Sequence, residues 1–136
     1  IFTVRDVLEI ALSRGLPVVF DWLHHQINGG RSDDADDRRL LERCFATWGA
    51  GDGPPKMHFS SQVAGGRAGA HADWIDPDEF CHMLRLTPEG DFDCMLEAKQ
   101  KDLALFRLRD ALDRGCCERS HWKKGNPGSW RAPGHR

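Results

Sequence analysis

Leu16-Pro17-Val18-Val19-Phe20 is a continuous apolar run that ends on Asp21-Trp22-Leu23-His24-His25. An uninterrupted run this short reads as a strand buried on both faces, the habit of parallel sheets covered by helices. Its flanks agree. Upstream, Val4, Val7, Leu8, Ile10, Ala11 and Leu12 recur at helical spacing. Thr3 is a suitable N-cap with Asp6 three residues on, and Gly15 a suitable stop. Downstream, a helix from Asp34 or Asp37 to Trp48 places Leu40, Leu41, Cys44, Phe45 and Trp48 on one face. Asp33, Asp34, Asp36 and Asp37 crowd its start, where the helix dipole favours anions, so the acidic run is explained without a metal.

The same alternation continues to the end of the periodic region. Gly49 to Pro55 is a turn, and Lys56-Met57-His58-Phe59-Ser60 reads as a strand with Met57 and Phe59 opposite Lys56 and His58. Ser61 to Ala70, with Gly65, Gly66 and Gly69, reads as a mobile loop. Asp76-Pro77 opens a third helix with Phe80, Met83, Leu84 and Leu86 on its inner face. Phe92 to Glu97 is a third strand, and Asp102 to Arg114 a last helix ended by Gly115. The fold class is therefore α/β, with three parallel strands at 16–20, 56–60 and 92–97 joined by right-handed crossovers. Periodicity leaves open whether this is a small doubly wound sheet or a slice of a barrel.

Composition is that of a folded chain: of 136 residues, 40% are hydrophobic and 29% charged. Ile1 in place of Met, directly before a helical pattern, reads as a fragment, a processed chain or an incomplete gene model. No apolar run approaches the ~18 residues of a membrane span, so no membrane partner is expected. The net charge of −2 conceals an asymmetry: the tail 115–136 carries Arg119, Lys123, Lys124, Arg131 and Arg136 against Glu118. The remainder is correspondingly acidic, so nucleic-acid binding has to rest on a local site and not on bulk charge. The five cysteines are odd in number and irregularly spaced, which argues against a disulfide framework and suits a reducing, cytoplasmic setting. Cys116, Cys117 and His121 lack a fourth ligand for a zinc site.

Polar residues gather where the strands end. Asp21 closes the first, followed by His24 and His25; Lys56 and His58 share a face of the second; His71 lies on the loop after it; Glu97 and Lys99 share a face at the end of the third. Alone, a strand-end Asp is usually a cap and a strand His a satisfied core residue. His25 is the spare of the histidine pair, a donor behind its neighbour, and His82 and His121 have no constellation around them. Repetition at every strand end is the informative feature, because burying that many ionisable groups uncompensated costs several kcal/mol each. Mixed N/O ligands of this kind suit zinc, manganese or iron.

Four ordered blocks carry a resemblance: Val18-Val19-Phe20-Asp21-Trp22-Leu23-His24-His25, Lys56-Met57-His58-Phe59-Ser60-Ser61, Gly69-Ala70-His71-Ala72-Asp73-Trp74-Ile75, and Asp93-Cys94-Met95-Leu96-Glu97 continuing to Leu105. Over about residues 1–114 the chain resembles the C-terminal part of the UV damage endonuclease family, within the endonuclease IV-like superfamily. The resemblance implies the last αβ units of a TIM-type (β/α)8 barrel with divalent metal ions in its mouth, manganese first, with zinc or magnesium as alternatives. It implies Asp21, His24, His58, His71 and Glu97 as metal ligands, and Lys56 as a further ligand if carboxylated, because a free ammonium would be repelled by cations. Lys56 and Glu97 are the implied catalytic residues, and Arg67 in the glycine-rich loop a nucleic-acid contact.

The implied reaction is metal-dependent hydrolysis of the backbone of damaged double-stranded DNA, 5′ of UV photoproducts, in a cytoplasmic, nucleoid-associated setting if the source is bacterial. A TIM barrel takes ~200–250 residues, so the N-terminal part, in the same chain or a second one, is expected as a partner. The chain alone is expected to be inactive. Residues 1–114 form the partial metallo-endonuclease domain, and 115–136 a basic tail expected to be disordered. Two other readings stand beside this one: a sugar isomerase or epimerase on the same metal-dependent scaffold, and an inactive truncated remnant.

Overall fold

The computed structural model describes residues 2–29 and 32–115, with the backbone of Lys123–Lys124 and Trp130–Arg131. The elements are α1 (Val4–Arg14), β1 (Phe20–Asp21), α2 (Trp22–Asn28), α3 (Asp34–Phe45), β2 (Lys56–Phe59), α4 (Pro77–Leu86), β3 (Asp93–Leu96) and α5 (Lys101–Asp113). Strands β4 (Lys123–Lys124) and β5 (Trp130–Arg131) pair antiparallel in the otherwise undescribed tail, where Cys116, Cys117 and His121 fall outside the described residues.

Local chemistry sets the helix ends. Thr3 and Asp6 cap α1 reciprocally, and Thr3 holds the Asp6 carboxyl below its usual range through hydrogen bonds from its hydroxyl and then its backbone. Gly15 ends α1 in the left-handed region at φ 62°. Asp76 caps α4 by accepting from the backbone N–H groups of Asp78 and Glu79, with Pro77 in the first turn.

Strands β1, β2 and β3 form one parallel sheet in sequential order. Met57 and Phe59 point into a core shared with Leu8 of α1, Leu40 and Leu41 of α3, Met83 of α4 and Leu108 of α5. Trp22 stacks on Phe59, and Phe80 meets Phe59 edge-on at 5.0 Å. The opposite face is open. Val19 is 44% and Met95 60% exposed, and Lys56 is exposed beside them. A doubly wound sheet reverses its strand order and is covered on both faces. Sequential order with helices on one face is instead the arrangement of a slice of a TIM-type barrel, whose open face corresponds to the barrel interior. The expectation of strands buried on both faces is thereby corrected.

Other details differ from the sequence reading. The first strand is only two residues long, because side chains serve the backbone before it. Val18 N–H donates to Thr47 Oγ1 at 2.8 Å, and Trp48 Nε1 donates to the Val18 carbonyl at 2.9 Å. Helix α3 stops at Phe45, beyond which Thr47 N–H and Trp48 N–H donate to the carbonyls three residues back, Cys44 and Phe45. Helix α2 has no counterpart in the sequence reading, since seven residues are too few for a periodic signal. The glycine-rich segment is a hydrogen-bonded hairpin and not a loose loop: Val63 N–H donates to the Ala70 carbonyl at 2.8 Å, and Gln62 bridges to His71.

Candidate metal centre

Register places the first ligands side by side. Asp21 is the direct partner of His58 across β1 and β2, and His58 that of Met95 across β2 and β3. Glu97, two residues beyond Met95, faces the same way because side chains alternate along a strand. Its backbone N–H donates to the Phe59 carbonyl at 2.9 Å, which extends the ladder by one residue.

Asp21 divides its carboxylate between two tasks. Oδ1 accepts the His24 backbone N–H at 2.9 Å and so caps α2, while Oδ2 lies 2.9 Å from His24 Nδ1 and 3.9 Å from His58 Nδ1. Cap and ligand, alternatives from sequence, are therefore compatible in one residue. His58 Nδ1 lies 3.2 Å from Glu97 Oε1, and His71 Nε2 lies 3.5 Å from Glu97 Oε2. All five predicted ligands thus form one chain of contacts: His24, Asp21, His58, Glu97, His71.

Asp21, His58 and Glu97 each present one ligand atom, all within 4.8 Å of one another. Two carboxylate oxygens and an imidazole nitrogen at that spacing fit a divalent cation of intermediate hardness. Among the described residues no cysteine joins this group, and burial pushes the Cys44 and Cys94 thiols up to about 12. Three backbone hydrogen bonds clamp the His71 segment. Ala72 N–H donates to the Ser61 carbonyl at 2.9 Å, Lys99 N–H to Ala72 at 3.1 Å and Gln100 N–H to Asp73 at 3.1 Å. The last two tie the loop after β2 to the residues just beyond Glu97.

Of the predicted metal-site residues, Lys56 stands apart. It shares the face of His58, but its Nζ lies 2.6 Å from Asp93 Oδ2 and 5.8 Å from the Trp48 ring centroid. Asp93 was not singled out from sequence, although aligning the two strands in register pairs it with Lys56. Arg67 is exposed in the hairpin, where its carbonyl accepts from Ala70 N–H and Gln62 Nε2.

His25 turns away from the cluster. Its Nε2 lies 2.7 Å from Asp37 Oδ1, and both residues are buried. The bland reading of the acidic run thus holds for Asp33, which caps α3, whereas Asp37 is a buried partner. His82 has acquired neighbours, lying 3.3 Å from Asp34 and edge-on to Trp22.

A family model described as UV-endonuclease UvdE matches residues 1–119. The UV DNA damage endonuclease of Bacillus cereus (strain G9842) is 37% identical over 113 residues, covering 82% of this chain and 35% of the relative. That of Bacillus pumilus (strain SAFR-032) is 38% identical over 113 residues, with the same coverage. The chain therefore spans about a third of the length of these relatives. A crystal structure of SacUVDE superposes with a TM-score of 0.68 at 31% identity, covering 84% of this chain and 37% of that one.

Proposed function

Since the chain belongs to the UV-endonuclease UvdE family, we propose that it supplies the C-terminal αβ units, and much of the metal centre, of a DNA-repair endonuclease. The substrate in this reading is double-stranded DNA nicked 5′ of a UV photoproduct, in the cytoplasm of a bacterium and in association with its nucleoid. The observation that carries it is the convergence of Asp21, His58 and Glu97 within 4.8 Å at the strand ends of a chain with this family membership.

In this reading Asp21, His24, His58, His71 and Glu97 hold divalent metal, manganese first, with zinc or magnesium as alternatives. Bound divalent ions supply Lewis acidity at a phosphodiester and at water. The chain's own residues do the rest. Asp21 and Glu97 bring the negative charge that binds cations, and His58 sits between them, in contact with both. His24 and His71 extend the ligand row at its two ends. Lys56 joins the centre only by leaving Asp93, and loss of its positive charge, as in a carbamate, would release that ion pair. Arg67, exposed in the hairpin, meets a phosphate of the DNA backbone in this reading.

The open sheet face supports the expectation that further barrel units complete the protein. Exposed Val19 and Met95 belong to a face that a closed barrel fills with side chains. The test is complementation. The N-terminal two-thirds of the Bacillus cereus relative is expressed, joined to this chain, and given UV-irradiated duplex DNA with Mn2+. Nicking that requires both parts and prior irradiation is the expected outcome. Nicking of irradiated and unirradiated DNA at one rate would defeat the lesion-specific reading, and its absence in a soluble fusion the endonuclease reading.

A further inference from the structure

In the hairpin that carries His71, one side chain adds three bonds to those of the backbone. Gln62 Oε1 accepts the Gly69 N–H at 2.8 Å, while Gln62 Nε2 donates to the Arg67 carbonyl at 2.9 Å and to the Val63 carbonyl at 3.2 Å. The amide thereby satisfies three backbone groups across the turn, which few other side chains can do, since it carries both an acceptor and two donors. The turn it fills is demanding. Gly65 and Gly69 lie at φ 68° and 81°, and a Cβ on Gly66 would sit 2.2 Å from Val63 Cγ1. A glycine-rich segment of this kind has high conformational entropy when free, so a closed form needs a specific fastening. Gln62 is also the backbone bridge partner of His71. The fastening and the imidazole therefore stand opposite each other across the hairpin.

We infer that Gln62 is a positioning residue: its side-chain amide closes the hairpin and thereby keeps His71 against Glu97, with Arg67 held on the outer side of the same turn. The inference rests on the reading of His71 as part of the metal centre, but its test does not require metal. Without the amide, Gly69 N–H loses its acceptor and the Arg67 and Val63 carbonyls keep only their backbone donors, Ala70 N–H and Gly66 N–H, so the segment samples open forms more often. His71 is bracketed by two backbone bonds, Val63 N–H to the Ala70 carbonyl and Ala72 N–H to the Ser61 carbonyl. The turn that Gln62 closes lies on the Ala70 side, so the position of the His71 ring depends on that turn as well as on the clamp to Lys99.

The experiment compares the 136-residue chain with its Gln62→Ala and Gln62→Glu variants, all without metal. Trypsin cleavage after Arg67 is timed, thermal midpoints are recorded, and NOEs between the His71 ring and the Glu97 methylenes are measured by NMR. Cleavage of a transiently opened segment follows its opening equilibrium, and one or two net hydrogen bonds are worth about a decade. Gln62→Ala is expected to be cut about tenfold faster and to lose the NOEs, with its thermal midpoint close to that of the parent. Gln62→Glu retains the acceptor for Gly69 but not the donors, and falls between the two. It serves as the deciding variant should Gln62→Ala prove globally unstable. Parental cleavage and intact NOEs would overturn the inference. So would faster cleavage with the NOEs preserved, because His71 would then be held without Gln62. A chain that shows the expected loop behaviour yet binds no Mn2+ leaves Gln62 in its role and counts against the metal centre instead.

Discussion

Replacing Asp37 with alanine tests the packing beneath the ligand-bearing turn. Asp37 and His25 are each 4% exposed, and Asp37 Oδ1 lies 2.7 Å from His25 Nε2. Gln26 Nε2 adds a longer contact to Oδ2 at 3.4 Å. The other ring nitrogen of His25, Nδ1, is buried and has no partner among the described residues. Asp37→Ala would therefore strip the ring of its short carboxylate contact, leaving, among the described residues, Ser32 Oγ at 3.4 Å from Nε2. One buried polar group left unsatisfied costs about 1–3 kcal/mol. A loss of about 1–3 kcal/mol is expected, a large share of the roughly 5–15 kcal/mol typical of a domain. In urea unfolding followed by tryptophan fluorescence, with a slope of about 2 kcal/mol per molar, the midpoint should fall by about 0.5–1.5 M. Asp34→Ala, at the exposed start of the same helix, is the control and should move it little. An Asp37→Ala midpoint indistinguishable from the control would refute the buried pair as a stabilising element.

Four further outcomes follow from the same geometry. Gly29→Ala should destabilise the chain by about 1–3 kcal/mol in the same assay, because its Cβ would lie 2.6 Å from the His25 carbonyl oxygen and 2.9 Å from its ring. Glu97→Gln, which exchanges the shared carboxylate of His58 and His71 for a neutral amide, should weaken Mn2+ binding at least tenfold by calorimetry. In the assembled enzyme Lys56→Ala should lose incision, and native mass measurement should show one added carbon dioxide on the parent; full activity in Lys56→Arg, which keeps the charge but forms no such carbamate, would exclude that role. Cys44 and Cys94, with thiols pushed up to about 12, should resist iodoacetamide at pH 8 in the folded chain and react on denaturation, as read by peptide mass mapping.

The sequence revealed the αβ alternation because amphipathic helices and short apolar strands have distinct periods. It placed α1, α4, α5 and the caps Thr3 and Asp76 closely. Asp21, His58 and Glu97 meet because each lies at or near a strand end and a parallel sheet aligns those ends, with His24 one turn beyond Asp21, whereas the hairpin after β2 brings His71 back to them. Contacts that depend on register or on side chains crossing between elements were not legible. Asp93 as partner of Lys56 is a register effect, and Asp37 as partner of His25 depends on the angle between α2 and α3. Gln62 closing its hairpin rests on backbone groups that no residue pattern displays. The open face of the first strand was equally hidden, since residues 16–20 are apolar on both faces although Val19 is exposed.

Anomalous scattering at the manganese edge, from crystals of this chain joined to the N-terminal part of the Bacillus cereus relative and grown with Mn2+, addresses the metal centre itself. A peak bounded by Asp21, His58 and Glu97 is the predicted result, and it should vanish in Glu97→Gln. Manganese bound elsewhere in the fusion, with those three side chains still paired only with one another, would contradict the assignment.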